Sequence, residues 1–171
     1  MGGFGFGMLA AVQMLGFYQA QHVSSRRATS TSTSTTTTSK PFLAYVLQVT
    51  TTQGSTFLVY RRYSQIAALA SKLHFHPSVG LPPKYALQVF PLTEEQLRQR
   101  FDGLQAFIAE VFATLAQQHE DGLQHDVDST AGLDMQIFYD FVAHQRNRPP
   151  PPVKTLPEWA KPPNVGAILA K

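Results

Sequence analysis

The feature that most restricts what this 171-residue chain can fold into is one long amphipathic stripe. Leu97, Phe101, Leu104, Phe107, Ile108, Val111, Phe112 and Leu115 recur at helical spacing. Thr93 and Gln96 form a capping box in front of them, and Glu94 and Glu95 suit the positive end of a helix. The spacing predicts a helix from Thr93 to about Gln118. A helix with one such face must bury it against another element.

Strand patterns lie upstream. Phe42–Thr50 and Ser55–Tyr60 alternate in hydrophobicity around Thr51-Thr52-Gln53-Gly54, which predicts an antiparallel hairpin. Tyr63, Ile66, Leu69, Ala70 and Leu73 return to helical spacing, so a short helix follows from Ser64 to about Leu73. Pro77, Gly80, Pro82 and Pro83 make His74–Pro83 a loop. Glu120–Asp134 reads as an acidic loop, and Leu133, Ile137, Phe138, Phe141 and Val142 mark a last helix that caps the core. Asp126-Val127-Asp128 is not a calcium loop. Thr130, Ala131 and Ile137 stand where an acid-like ligand, Gly and Glu are required. No metal ligand set and no cofactor site is assigned.

Charge is distributed unevenly. Residues 1–93 hold seven basic residues and no acidic one, whereas seven basic and eleven acidic residues follow from Glu94 onward. A domain over residues 40–146 is therefore a dipole with a basic end that can orient toward an anionic surface. A nucleic-acid binder carries a larger basic excess on one face, and no nucleic-acid partner is expected. The chain has no cysteine, which excludes a disulfide scaffold, a zinc ribbon and a thiol nucleophile.

The two ends differ in composition from the middle. Residues 1–39 read as a disordered leader: a Gly- and Phe-rich start, then the Ser/Thr tract Ser24–Ser39. Signal-peptide, myristoylation and transit-peptide patterns are each incomplete there, and a wrongly placed gene start would also account for it. Residues 147–171 form a Pro-rich tail. Arg146, Pro149, Pro152 and Lys154 are spaced for the aromatic groove of an SH3-type partner, and a stiff solvated tail is the plainer alternative.

Chemistry is concentrated in three places. Thr56-Phe57-Leu58-Val59 runs into Tyr60-Arg61-Arg62-Tyr63. Strand alternation sets Arg61 and Arg62 on opposite faces, so at most one of them serves a given pocket. Pro82-Pro83 holds the backbone extended in front of Lys84. Arg100 lies roughly 60° from Leu97, within the apolar stripe, whereas Arg98 lies roughly 100° away outside it. A cation on the buried side needs a partner. A carboxylate of the later acidic loop would be a structural partner; an external anion or polyol would be a functional one. One arginine of the pair, Tyr63, Lys84 and Arg100 together would suit a polyphosphorylated head group.

Arg61-Arg62-Tyr63-Ser64, Leu81-Pro82-Pro83-Lys84 and Arg100-Phe101-Asp102-Gly103-Leu104-Gln105-Ala106-Phe107-Ile108 resemble, in that order, the motifs of the phox-homology (PX) domain. The resemblance covers residues 40–146. It implies an α+β fold: an antiparallel sheet of about three strands packed on a helical subdomain of three to four helices. It also implies a non-catalytic phosphoinositide-binding module, most often for phosphatidylinositol 3-phosphate. Such a module works in endosomal or vacuolar trafficking or signalling, in the cytoplasm and peripherally on those membranes. By that resemblance Arg62 takes the 3-phosphate, Tyr63 packs under the inositol ring, Lys84 takes the 1-phosphate and Arg100 the ring hydroxyls. Phe75, Val79 and Leu81 would contact the bilayer. Ile66 replaces the family's usual aromatic as a core residue. The family's first strand has no counterpart in this reading, because the Ser/Thr tract stands in its place. The alternative function is a protein-interaction adaptor acting through the Pro-rich tail. HExxH, GxSxG and P-loop motifs are absent from the sequence, so enzymatic activity is not expected.

Overall fold

In the computed structural model the elements run β1 (Leu9–Ala20), β2 (Val23–Ser25), β3 (Thr36–Thr38), β4 (Phe42–Thr51), β5 (Thr56–Arg62), α1 (Tyr63–Lys72), α2 (Glu94–Gly122), α3 (Thr130–Val142) and β6 (Pro152–Lys154). Residues 9–21, 23–25, 36–38, 41–84, 92–122, 130–142, 149–150 and 152–154 are described. Three long antiparallel strands in the order β5-β4-β1 pack with the three helices, the α+β arrangement expected from the sequence.

The β4–β5 hairpin closes as the alternation predicts, with Ala44 opposite Arg62 and Thr50 opposite Thr56. Gly54 takes φ +81°, a value that favours glycine, and its N–H donates to the Thr51 carbonyl at 2.9 Å. The Thr51 hydroxyl accepts from the Ser55 N–H at 3.1 Å, which satisfies a further turn donor.

The leader is the first correction. Leu9–Ala20 is a strand of the sheet, paired with β4 from Leu9 opposite Thr51 to Ala20 opposite Phe42, and Met14, Phe17 and Ala20 are buried. The missing first strand thus lies before the Ser/Thr tract. Its alternation is hidden by a bulge: Met14 faces Leu47 and Gly16 faces Val46, so Leu15 is the extra residue. The bulge lets Met14 and Phe17, three residues apart, both enter the core. Part of the tract also pairs, since β2 and β3 form a two-stranded ribbon from Val23 opposite Thr38 to Ser25 opposite Thr36.

One face of the sheet carries the core. Phe17 and Tyr45 stack at 5.7 Å, and Leu47, Val49 and Val59 continue the apolar surface. Helix α2 lies on it with Leu104, Phe107, Ile108, Val111 and Leu115 buried, the stripe read from the sequence. Both halves of its capping box form: the Thr93 N–H donates to the Gln96 side chain, and the Gln96 N–H to the Thr93 hydroxyl. On the opposite face Tyr18 and Tyr60 meet edge to face at 6.3 Å. Ile66 is fully buried, so the position that is aromatic in the PX pattern is a core position here.

The tail is the second correction. Pro152–Lys154 is an edge strand against β1, with Lys154 opposite Gln19 and Pro152 opposite Ala20, and Tyr18 donates its hydroxyl to the Pro150 carbonyl at 2.8 Å. This part of the Pro-rich segment is therefore docked rather than solvated. Arg146 lies outside the described residues. Among the described residues no helix is long and apolar enough to cross a membrane.

Candidate functional site

The two arginines that end β5 take opposite roles. Arg61 is 7% exposed and turns to the end of α3. Its Nε donates to the Phe141 carbonyl at 2.7 Å, its Nη2 donates to the same oxygen, and its guanidinium lies 5.3 Å from the Phe141 ring centre. A further N–H donates to the Tyr60 carbonyl. The two bonds to Phe141 cap the last turn of α3, whose carbonyls have no partner within the helix. Burial pulls the Arg61 pKa down from its ordinary value.

Arg62 sits on the other face, half-buried, with its guanidinium 4.2 Å from the centre of the Phe42 ring. Phe42 lies two residues beyond Ala44, the partner of Arg62 across the ladder, so the two side chains are diagonal neighbours on one face. Among the described residues no carboxylate forms an ion pair with Arg62. The backbone N–H of Arg62 donates to the Gln65 side chain at 2.9 Å, which ties the start of α1 to the end of β5.

Tyr63, Arg100 and the proline loop meet directly. The Tyr63 hydroxyl donates to the Pro82 carbonyl at 2.5 Å, and the Arg100 guanidinium stands 5.2 Å from the Tyr63 ring centre. Arg100 is 7% exposed, inside the stripe as its phase requires, whereas Arg98 is exposed and paired with Glu94 at 3.8 Å. Arg100 also reaches the backbone of the proline loop. Its Nη2 donates to the Pro83 carbonyl at 3.1 Å and to the Lys84 carbonyl at 2.5 Å, acceptors the sequence reading did not consider. The proline loop, which has no acid to offer, offers carbonyls. Burial pushes the Tyr45 hydroxyl pKa up to about 12 despite the opposing charge of Arg100 beside it. Burial likewise raises Tyr63, again against Arg100. The side chain of Lys84 is exposed.

Gly103 explains how the loop comes so close to α2. A Cβ at that position would stand 3.2 Å from Pro82 Cβ and Cγ. The sequence shows a glycine within a helix, but not the proline that needs it.

Two carboxylates that sequence reasoning did not single out hold the first half of the loop. Asp134, assigned to an acidic loop, lies within α3 and is 2% exposed; it accepts from the His74 N–H at 3.0 Å and contacts His74 Nδ1 at 2.7 Å. Glu110 on α2 accepts from the Ser78 N–H, the Ser78 hydroxyl and the Val79 N–H at 2.7, 2.6 and 2.7 Å. The Ser78 hydroxyl first, then the two backbone bonds, hold the Glu110 pKa below its ordinary value. Both pairs join residues more than thirty positions apart, and no local signal announces them.

Phe75, Val79 and Leu81 are half-buried and pack against the core, leaving only part of each for a membrane. The loop turns these odd-numbered residues inward and leaves His74, His76, Ser78 and Gly80 exposed.

No curated protein matches the chain significantly. The PX domain family model matches residues 49–125, from the end of β4 past the end of α2, and so takes in all three sequence motifs. Family match and fold agree, and over those residues the chain carries a PX domain, a phosphoinositide-binding, membrane-targeting module.

Proposed function

We propose that the chain binds phosphatidylinositol 3-phosphate and so gathers, without catalysing a reaction, from the cytoplasm onto endosomal or vacuolar membranes. The observation that carries this reading is the contrast at the end of β5: Arg61 is engaged in capping α3, while Arg62 rests on Phe42 and, among the described residues, no carboxylate is paired to it. Tyr63, the next residue in the chain, is paired with Arg100, and both are fixed to carbonyls of the loop at Pro82, Pro83 and Lys84. In this reading Arg62 grips the 3-phosphate with its two-pronged N–H edge. Tyr63 supports the inositol ring, the exposed Lys84 ammonium meets the 1-phosphate, and Arg100 meets ring hydroxyls while keeping its hold on the loop. Residues 40–146 hold eight basic and ten acidic residues, so general attraction to anionic lipid is a poor substitute for a pocket. Liposomes carrying phosphatidylinositol 3-phosphate should recruit the chain, and liposomes of phosphatidylserine at matched charge should not. Equal recruitment by both would overturn the pocket reading.

A second contact is proposed for the tail. Arg146, Pro149, Pro152 and Lys154 fit an SH3-type groove, but Pro152 and Lys154 belong to β6 and must leave β1 before a partner can take them. A peptide spanning residues 146–154 should therefore bind such a domain more tightly than the intact chain does. Equal affinities would mean that the β1 contact does not compete.

A further inference from the structure

Between α1 and Lys84 the backbone forms neither helix nor ladder, so its polar groups depend on side chains from elsewhere. They find partners by polarity. In the first half, carboxylates take N–H groups: Asp134 at His74, and Glu110 at Ser78 and Val79. In the second half, donors take carbonyls: Tyr63 at Pro82, and Arg100 at Pro83 and Lys84. The donors belong to the candidate lipid site, and the acceptors do not. Arg100 therefore has two tasks, and any ligand that draws its guanidinium away loosens the loop unless something else fixes it.

We propose that Glu110 is a positioning residue for phosphoinositide recognition, acting through Ser78 and Val79 on the loop that presents Pro82–Lys84. The inference rests on the lipid-binding reading above. Both oxygens of Glu110 are engaged: Oε1 by the Ser78 N–H and hydroxyl, Oε2 by the Val79 N–H. Charge-assisted bonds of this length are among the stronger ones a surface can make. Only Gly80 and Leu81 separate Val79 from Pro82, and Leu81 is itself packed on the core. Three residues span about 10 Å at most, so fixing Val79 confines where Pro82 and Lys84 can stand.

The sign of the mutational effect identifies the mechanism. Deleting a carboxylate from a surface near an anion site ordinarily strengthens anion binding, because a repulsive charge is gone. Loss of positioning acts the other way. The intact chain should be titrated with the soluble inositol 1,3-bisphosphate head group, which removes any contribution from bilayer insertion. Wild type, Glu110→Ala, Glu110→Gln and Asp102→Asn should be compared, the last being an exposed carboxylate of α2 outside the loop contacts. Glu110→Ala should bind about tenfold more weakly, with faster amide exchange at Ser78 and Val79. Glu110→Gln, which keeps one acceptor oxygen, should fall between, and Asp102→Asn should bind as wild type or slightly more tightly. If wild type binds and Glu110→Ala binds equally well or better, the positioning role is overturned while the lipid reading stands. If wild type ignores every phosphoinositide head group and membrane, both fall together.

Discussion

The two faces of the last residues of β5 are built from the same amino acid and do opposite things. On one face Arg61 is buried and bonded to the end of α3 and to Tyr60. On the other, Arg62 is half-buried, braced by Phe42 and turned to solvent. A buried guanidinium with three bonds to backbone oxygen stabilises the fold and has little left to offer a ligand. One braced by an aromatic ring, with no acid paired to it among the described residues, is ready for an anion. Neighbouring positions in a strand differ this sharply because alternation hands them to different surroundings.

The largest effect should come from breaking the open face. Charge-assisted hydrogen bonds contribute about 1.5–3 kcal/mol each, and a guanidinium makes two to a phosphate. Arg62→Gln should cost about 3 kcal/mol, roughly a hundredfold in affinity for phosphatidylinositol 3-phosphate liposomes. Its melting temperature should barely change, because the loss is mainly of the exposed-face contact with Phe42, and Arg62→Lys should fall between in affinity. Wild-type binding by Arg62→Gln would remove the distinction between the faces.

Arg61→Gln should show the converse. Losing the cap of α3 should cost about 1–3 kcal/mol of stability, which lowers the melting point by about 2–4 °C per kcal/mol for a chain of this size. Lipid affinity of the folded fraction should stay within about threefold of wild type, since a change of that size is under 1 kcal/mol. A variant that melts normally yet no longer binds would place the ligand on the Arg61 face.

The smallest effect sharpens the comparison from the loop side. Gly103→Ala adds a methyl 3.2 Å from Pro82, whose carbonyl is held by Tyr63. Alanine improves the helix by about 1 kcal/mol, so stability should hold or rise slightly. The loop must shift by a few tenths of an ångström, and affinity should drop about threefold. Unchanged affinity would show that the second half of the loop yields without disturbing the site. Calorimetric titration alongside melting curves separates the two quantities.

The sequence by itself determined the elements whose information is local. The stripe from Leu97 to Leu115, the Thr93–Gln96 cap, the Gly54 turn and the opposite sides of Arg61 and Arg62 are all present as read, because each is decided within a few residues by helical or strand period and turn chemistry. Burial of Arg100 was legible for the same reason: helical phase fixes which way a side chain points. Its partners were not, since carbonyls of Pro83 and Lys84 carry no sequence signature of acceptance. Strand β1 was lost to the leader because the bulge at Leu15 breaks its alternation, and because its partner β4 begins beyond a long polar tract. Docking of β6 on β1, the hold of Asp134 on His74 and that of Glu110 on Ser78 and Val79 are likewise long-range pairings. Only the folded chain brings those residues together, since a pairing across thirty or more positions is set by how the elements pack and not by either residue's neighbours.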